Sequence, residues 1–163
     1  MSYRVGMQLA LLSVIVFLDQ WTKYWIEHPS FTSFVVIDGF FNIIRAHNDG
    51  VAFSLFADWP DAWRVNFLVG MTSAIAVGVL AWWVQCLRQG HYFVSWILIL
   101  VLAGALGNIW DRSQLGYVVD FLLFYIDWDG QFYAYPAFNV ADSSICIGVF
   151  LLLIDSFRHR KEA

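Results

Sequence analysis

A chain of 163 residues in which 60% are hydrophobic and only 13% charged, with a mean hydropathy of +0.63, lies far from the soluble norm of about 25% charged residues. A net charge of −4 with nine Lys and Arg argues against a basic nucleic-acid surface, so no nucleic-acid partner is expected. The two cysteines, Cys86 and Cys146, have no metal spacing and fall just past the second apolar stretch and inside the fourth; they are read as packing residues rather than a disulfide.

A transmembrane helix needs about 20 mostly apolar residues, and four stretches meet that need: 7–26, 63–84, 93–110 and 139–157. They predict one integral-membrane domain over residues 1–163, with no linker, repeat or low-complexity tract to divide it. The first stretch has no small-x-small cleavage site and ends in DQWTKYWIE, so it is expected to be retained rather than removed as a leader. Asp19 and Lys23, spaced i, i+4, share a helix face. They are read as a structural ion pair from which Lys23 reaches outward to water.

The connection that follows, FTSFVVIDGFFNIIRAHNDGVAFSLFADW, is rich in Phe, Val and Ile. Its two DG pairs, Asp38-Gly39 and Asp49-Gly50, are hairpin signals between short strands. A small extracytoplasmic β-sheet lined with aromatics at the lipid boundary is therefore expected. Trp59, Pro60 and Trp63 suit a short interfacial turn or helix leading into the second span.

In the third span, AGALGNIWDR, the small residues Ala103, Gly104, Ala105 and Gly107 permit close helix contact. Asn108, Asp111 and Arg112 lie on one face of its end. Arg112 has five donors and no acceptor, so it needs a carboxylate, backbone carbonyls or a ligand. Two readings stand: an internal pair with Asp111, or a substrate clamp.

The second connection, GYVVDFLLFYIDWDG, is apolar over 117–126 but too short to cross, so it belongs at the interface or against the bundle. Asp120 is the one carboxylate inside that run. The fourth span opens on Asp142, although a carboxylate in hydrocarbon costs roughly 2.5 kcal/mol or more. Three readings of Asp142 remain open: a helix cap, ion handling, or one half of a carboxylate pair with Asp120. Two facing carboxylates in a poorly hydrated site share one proton. Such a pair can activate water with one member and hydrogen-bond a scissile carbonyl with the other.

Asp19, Lys23, Asn108, Asp111, Arg112, Asp120, Asn139 and Asp142 all fall at the outer ends of the spans, and the inner halves read as almost purely apolar. A channel or pump would spread ionisable groups through the membrane depth. Arg4, Arg88, Arg158, Arg160 and Lys161 mark one side, whereas each long connection holds a single basic residue, Arg45 or Arg112. Both termini are therefore expected on the cytoplasmic side and both connections outside.

Five motifs in order, DQWTK at 19–23, NDGVAFS at 48–54, GALGNIWDR at 104–112, VVDF at 118–121 and FNVAD at 138–142, resemble lipoprotein signal peptidase (signal peptidase II), a bacterial inner-membrane aspartic peptidase family. The resemblance runs nearly end to end. It implies four transmembrane helices with a small extracytoplasmic sheet, or cradle, and removal of the signal peptide from diacylglyceryl-modified prolipoproteins just before the lipidated cysteine. By motif, Asp120 and Asp142 match the family's catalytic dyad. Asn48, Asn108, Arg112 and Asn139 match positions that hold substrate or orient the dyad, and Asp111 lies beside them. Asp19 and Lys23 match its polar pair. No metal or cofactor is implied; the partners are prolipoproteins and membrane lipids, and a monomer is expected. Ala103 stands where the family often has glycine and Val51 where it has alanine. The aromatic extension YIDWDGQFYAYPAFN has no assigned role.

Overall fold

The computed structural model describes residues 2–50 and 60–159. Four helices, α1 (Ser2–Glu27), α2 (Asp61–Gln89), α3 (Tyr92–Leu115) and α4 (Val140–His159), carry the four apolar spans. Each runs a few residues past the apolar stretch read from sequence, because its ends are polar or aromatic but still helical. Pro60 precedes α2 directly, and Gly90 and Gly116 end α2 and α3 in the left-handed conformation, which glycine adopts without the usual Cβ penalty. The interfacial turn or helix expected at Trp59, Pro60 and Trp63 lies partly outside the described residues, as do 51–54 of the NDGVAFS motif, Arg160 and Lys161. Within them, Trp63 sits in the first turn of α2.

The middle of the bundle is α3. Over half of its apolar window is buried (56%), against 11% for α1 and 17% each for α2 and α4. The outward faces of those three suit lipid, where an apolar surface needs no cover. Trp21, Tyr24, Trp25, Trp63 and Trp110 stand exposed near the helix ends on the sheet side, the aromatic belt of a membrane boundary.

Small residues let α4 close onto α3. A Cβ on Gly104 would strike the Ala141 carbonyl oxygen and Ile145, and one on Gly107 would meet the Asp19 carboxylate. Gly104→Ala is expected to push α4 off α3, at an overpacking cost of about 1–3 kcal/mol. Thermal unfolding in detergent would read that loss.

A four-stranded antiparallel sheet of order β1-β2-β3-β4 sits at one end of the bundle. Strands β1 (Phe34–Ile37) and β2 (Phe41–Asn48) come from the first connection, turned at Asp38-Gly39 as the first DG pair predicts. The second DG pair does not start a hairpin within the described residues: β2 stops at Asn48 and crosses to pair with β3 (Val118–Trp128). The unassigned extension supplies β4 (Gln131–Ala134), joined to β3 by Asp129-Gly130, both at positive φ, as a two-residue hairpin turn requires. The stretch 117–126 is thus largely strand. Its alternation is masked because Val118 to Phe121 are buried on both faces.

The half of the bundle away from the sheet is less apolar than its sequence suggests. Gln8, wholly buried, donates to Ser95 Oγ at 2.7 Å and accepts from Trp83 Nε1 at 3.0 Å. Ser95 Oγ in turn donates to the Tyr92 carbonyl at 2.8 Å. Every member is satisfied, so the network ties α1, α2 and α3 together rather than opening a polar path.

Candidate active site

The site forms where the sheet meets the adjoining ends of α1, α3 and α4. The Phe138 carbonyl accepts from Phe121 and Leu122, and the Phe138 N–H donates back to Leu122. That short bridge sets Asn139 beside Asp120. Asn139 then begins α4 as its cap: its Oδ1 accepts the Asp142 N–H at 2.8 Å, and its own N–H points at Asp142 Oδ2 at 3.3 Å. The reciprocal pair is a capping box with an acid in the third position. The capping reading of Asp142 therefore holds, but it uses only one carboxylate oxygen.

The other oxygen, Oδ1, accepts from Asn108 Nδ2 at 2.7 Å. Asp120 accepts from Asn139 Nδ2 at 2.8 Å and from Asn48 Nδ2 at 2.9 Å, one on each oxygen. Asn139 and Asn108 also bond each other at 3.3 Å. Two carboxylates on separate elements, β3 and α4, are thereby joined through two buried carboxamides. Asp120 is nearly sealed at 2% exposure, whereas Asp142 is half-buried and lines a cleft of about 490 Å³ with Asn48, Phe138, Ile145 and Cys146. Cys146 is exposed on that wall and is not the packing residue expected; Cys86 is.

Burial pushes the Asp120 carboxyl up to about 6. The hydrogen bond from Asn48 pulls down against it, the Asp142 charge adds to it, and Asn139 and Lys23 pull down again.

Behind this pair lies a buried charge cluster. Lys23 Nζ stands 2.8 Å from Asp19 Oδ2 and 2.8 Å from Asp111 Oδ2. Asp19 accepts the Ala141 N–H at 2.9 Å, satisfying an orphan donor at the start of α4 from a different helix; the absence of a Cβ at Gly107 leaves room for it. Lys23 is 2% exposed and donates to Asn108 Oδ1 at 3.3 Å. The pair with Asp19 is as expected, but the outward reach of Lys23 is not: two carboxylates and a carboxamide hold it inward. Gln20, missed in the sequence, donates to Asp111 Oδ1 at 2.8 Å and Asp19 Oδ2 at 3.1 Å. Its place one residue after Asp19, inside the DQWTK motif, was the available signal.

Asp111 is thus taken by Lys23, Gln20 and the Val119 N–H. The alternative of an Asp111–Arg112 ion pair is not formed. The Arg112 charge acts most on Asp142, then Asp120, then Asp111, and its buried Nε has no partner among the described residues. A Cβ added to Gly50 would lie 3.6 Å from that nitrogen. Asn48, Asn108, Asn139 and Arg112 surround the two carboxylates; Asp111, Asp19 and Lys23 stand behind them.

Four membrane-length helices around a ring of buried carboxylates and carboxamides define a multi-pass membrane protein, and two solved bacterial membrane enzymes share its fold. One, solved in meso at 2.3 Å, superposes with a TM-score of 0.75 at 31% identity, covering 97% of this chain and 92% of that one. The other, solved at 1.9 Å, gives 0.74 at 33% identity over 93% and 92%. The family model for signal peptidase (SPase) II matches residues 11–158. The lipoprotein signal peptidase of Geobacter sulfurreducens is 41% identical over 98% of this chain and 96% of its own length. That of Pseudomonas aeruginosa is 39% identical over 92% and 88%. The chain belongs to the signal peptidase II family.

Proposed function

We propose that this protein is a membrane aspartic endopeptidase that removes the signal peptide from diacylglyceryl-modified prolipoproteins, cutting just before the lipidated cysteine. The observation that carries the reading is the pairing of Asp120 and Asp142 through Asn139 and Asn108 beside an open cleft. Asp120, with its carboxyl raised, holds the shared proton and hydrogen-bonds the scissile carbonyl. Asp142, facing the cleft, takes the proton from the attacking water. Asn48 lines the cleft where the peptide backbone would lie, and the Arg112 charge, which acts on both carboxylates, is the group that would hold that backbone. The protein works as one unit over residues 1–163 and as a monomer. Both termini are cytoplasmic and the cleft opens at the outer leaflet, a reading supported by Arg4, Arg88 and Arg158 at the end of the bundle away from the sheet.

Purified protein in detergent should cleave a diacylglyceryl-modified prolipoprotein and leave the unmodified precursor intact. Equal cleavage of both would refute the lipid requirement, and cleavage of neither by folded protein would refute the activity.

The shared proton sets the pH dependence. In the empty enzyme it is present below, and lost above, the raised Asp120 value of about 6. The profile of kcat/KM should therefore be bell-shaped with its alkaline limb near that value, and kcat, read with the cleft dried by substrate, should turn over at higher pH. A profile flat from about pH 4 to 9 with chemistry rate-limiting would contradict the dyad. Stability follows the same sign. The folded state binds the Asp120 proton more tightly than the unfolded one, so this contribution is full below the ordinary value of 3.8 and is lost as pH rises through about 6.

A further inference from the structure

We propose that Glu27 is a positioning residue for the reaction: it gathers β2 and the start of β3 onto the end of α1, and so holds Asn48 against Asp120. This rests on the aspartic reading above. Glu27 is the last residue of α1, and its carboxylate is shared by two other elements. Its Oε1 meets His47 Nε2 of β2 at 2.8 Å. A carboxylate can only accept, so that nitrogen carries the hydrogen. Its Oε2 accepts from the Tyr117 hydroxyl at 3.4 Å, just before β3. The His47 ring stacks on the Tyr117 ring with centroids 4.1 Å apart. Arg45, 4.0 Å from Glu27 Oε1, donates to the carbonyls of Ile26 at 2.8 Å and His28 at 2.7 Å, which closes the end of α1.

Strand geometry turns this junction into a lever. Successive side chains alternate between the faces of a strand, so Arg45 and His47 turn to α1 while Ala46 and Asn48 turn the other way. Ala46 is paired across the ladder with Asp120 and Asn48 with Val118, which puts Asn48 Nδ2 at 2.9 Å from Asp120 Oδ2. Holding one face to Glu27 fixes the reach of the other. The cluster is half-exposed, with the side chain of His47 43% open and that of Glu27 28%. Exposed pairs of this kind add little stability, and the packing of Ile26 against Val119 and Phe121 already holds β3, the partner of β2, to α1. Precision at Asp120, rather than stability, is what the carboxylate supplies. Small displacements of a catalytic constellation lower rates steeply.

The test uses the full chain in detergent with a diacylglyceryl-modified prolipoprotein. Glu27→Ala and His47→Phe should each lower kcat about tenfold with KM within about twofold, and the melting temperature should hardly move. His47→Phe keeps the stack on Tyr117 and removes only the nitrogen, so it remains informative if Glu27→Ala unfolds. In an Asn48→Ala background Glu27→Ala should lower kcat no further, since coupled residues are not additive. Unchanged kcat in both single variants, a change confined to KM, or a full additional loss in the Asn48→Ala background would each overturn the proposal. Asp142→Asn run alongside separates the two levels: wild-type turnover there sinks the aspartic reading itself, whereas a dead Asp142→Asn beside a fully active Glu27→Ala sinks only the role of Glu27.

Discussion

Asp142→Asn is expected to lower kcat about 10²–10⁴-fold while the protein still folds and inserts, the range seen when a general acid or base is removed. Asparagine keeps the shape and one acceptor for the Asn108 amide or the Asn139 N–H, so the capping half of the residue's work largely survives. What it loses is the ability to take a proton from water. Asp120→Asn should fall to a similar level, because asparagine cannot exchange a proton with the substrate carbonyl. Members of a unit are grossly non-additive. The double variant should therefore be no slower than the worse single one. Single-turnover cleavage of a lipidated prolipoprotein gives all three rates, and near wild-type turnover in either single variant would remove that residue from the chemistry.

The largest expected effect on stability is that of Lys23→Met. Asp19 and Asp111 are 0% and 2% exposed, and Lys23 is the cation 2.8 Å from both. Breaking a buried ion pair by deleting one partner costs about 3–5 kcal/mol, because a charge is left uncompensated; here two carboxylates lose the same partner. A combined Asp19→Asn, Lys23→Met, Asp111→Asn variant should recover much of the loss, since neutral replacement of a whole buried cluster is often tolerated. Unfolding in detergent, followed by tryptophan fluorescence, would compare the two. A loss under about 1 kcal/mol in Lys23→Met would mean that the carboxylates are hydrated and the cluster is not a buried one. Any fall in activity beyond that expected from unfolding would trace the Lys23–Asn108–Asp142 chain of hydrogen bonds.

Much of the fold was legible because hydrocarbon imposes a simple rule. Four long apolar runs and the polar residues gathered at one set of their ends could be read one residue at a time, and so could the Asp38-Gly39 hairpin. The β3–β4 hairpin carried the same kind of turn signal at Asp129-Gly130. It was missed because a strand buried on both faces at its start loses the alternation by which strands are recognised. The network of Gln8, Trp83 and Ser95 escaped because none of its members is charged, and uncharged polar residues are cheap enough in a bundle to pass as background.

The sequence by itself determined that this is a four-span membrane protein with carboxylates near one boundary, and its motifs determined the family. Only the tertiary structure decided which polar group meets which. Lys23 is held inward, Asp111 belongs to Lys23 rather than to Arg112, Asp19 caps a helix that begins more than a hundred residues later, and Glu27 ties β2 and the residue leading into β3 to α1. The physical reason lies in range. The cost of burying a charge is a property of one residue and its depth, whereas the choice of partner depends on close approach between helices at Gly104 and Gly107 and on the register of β2 against β3. Those distances exist only once the chain has packed.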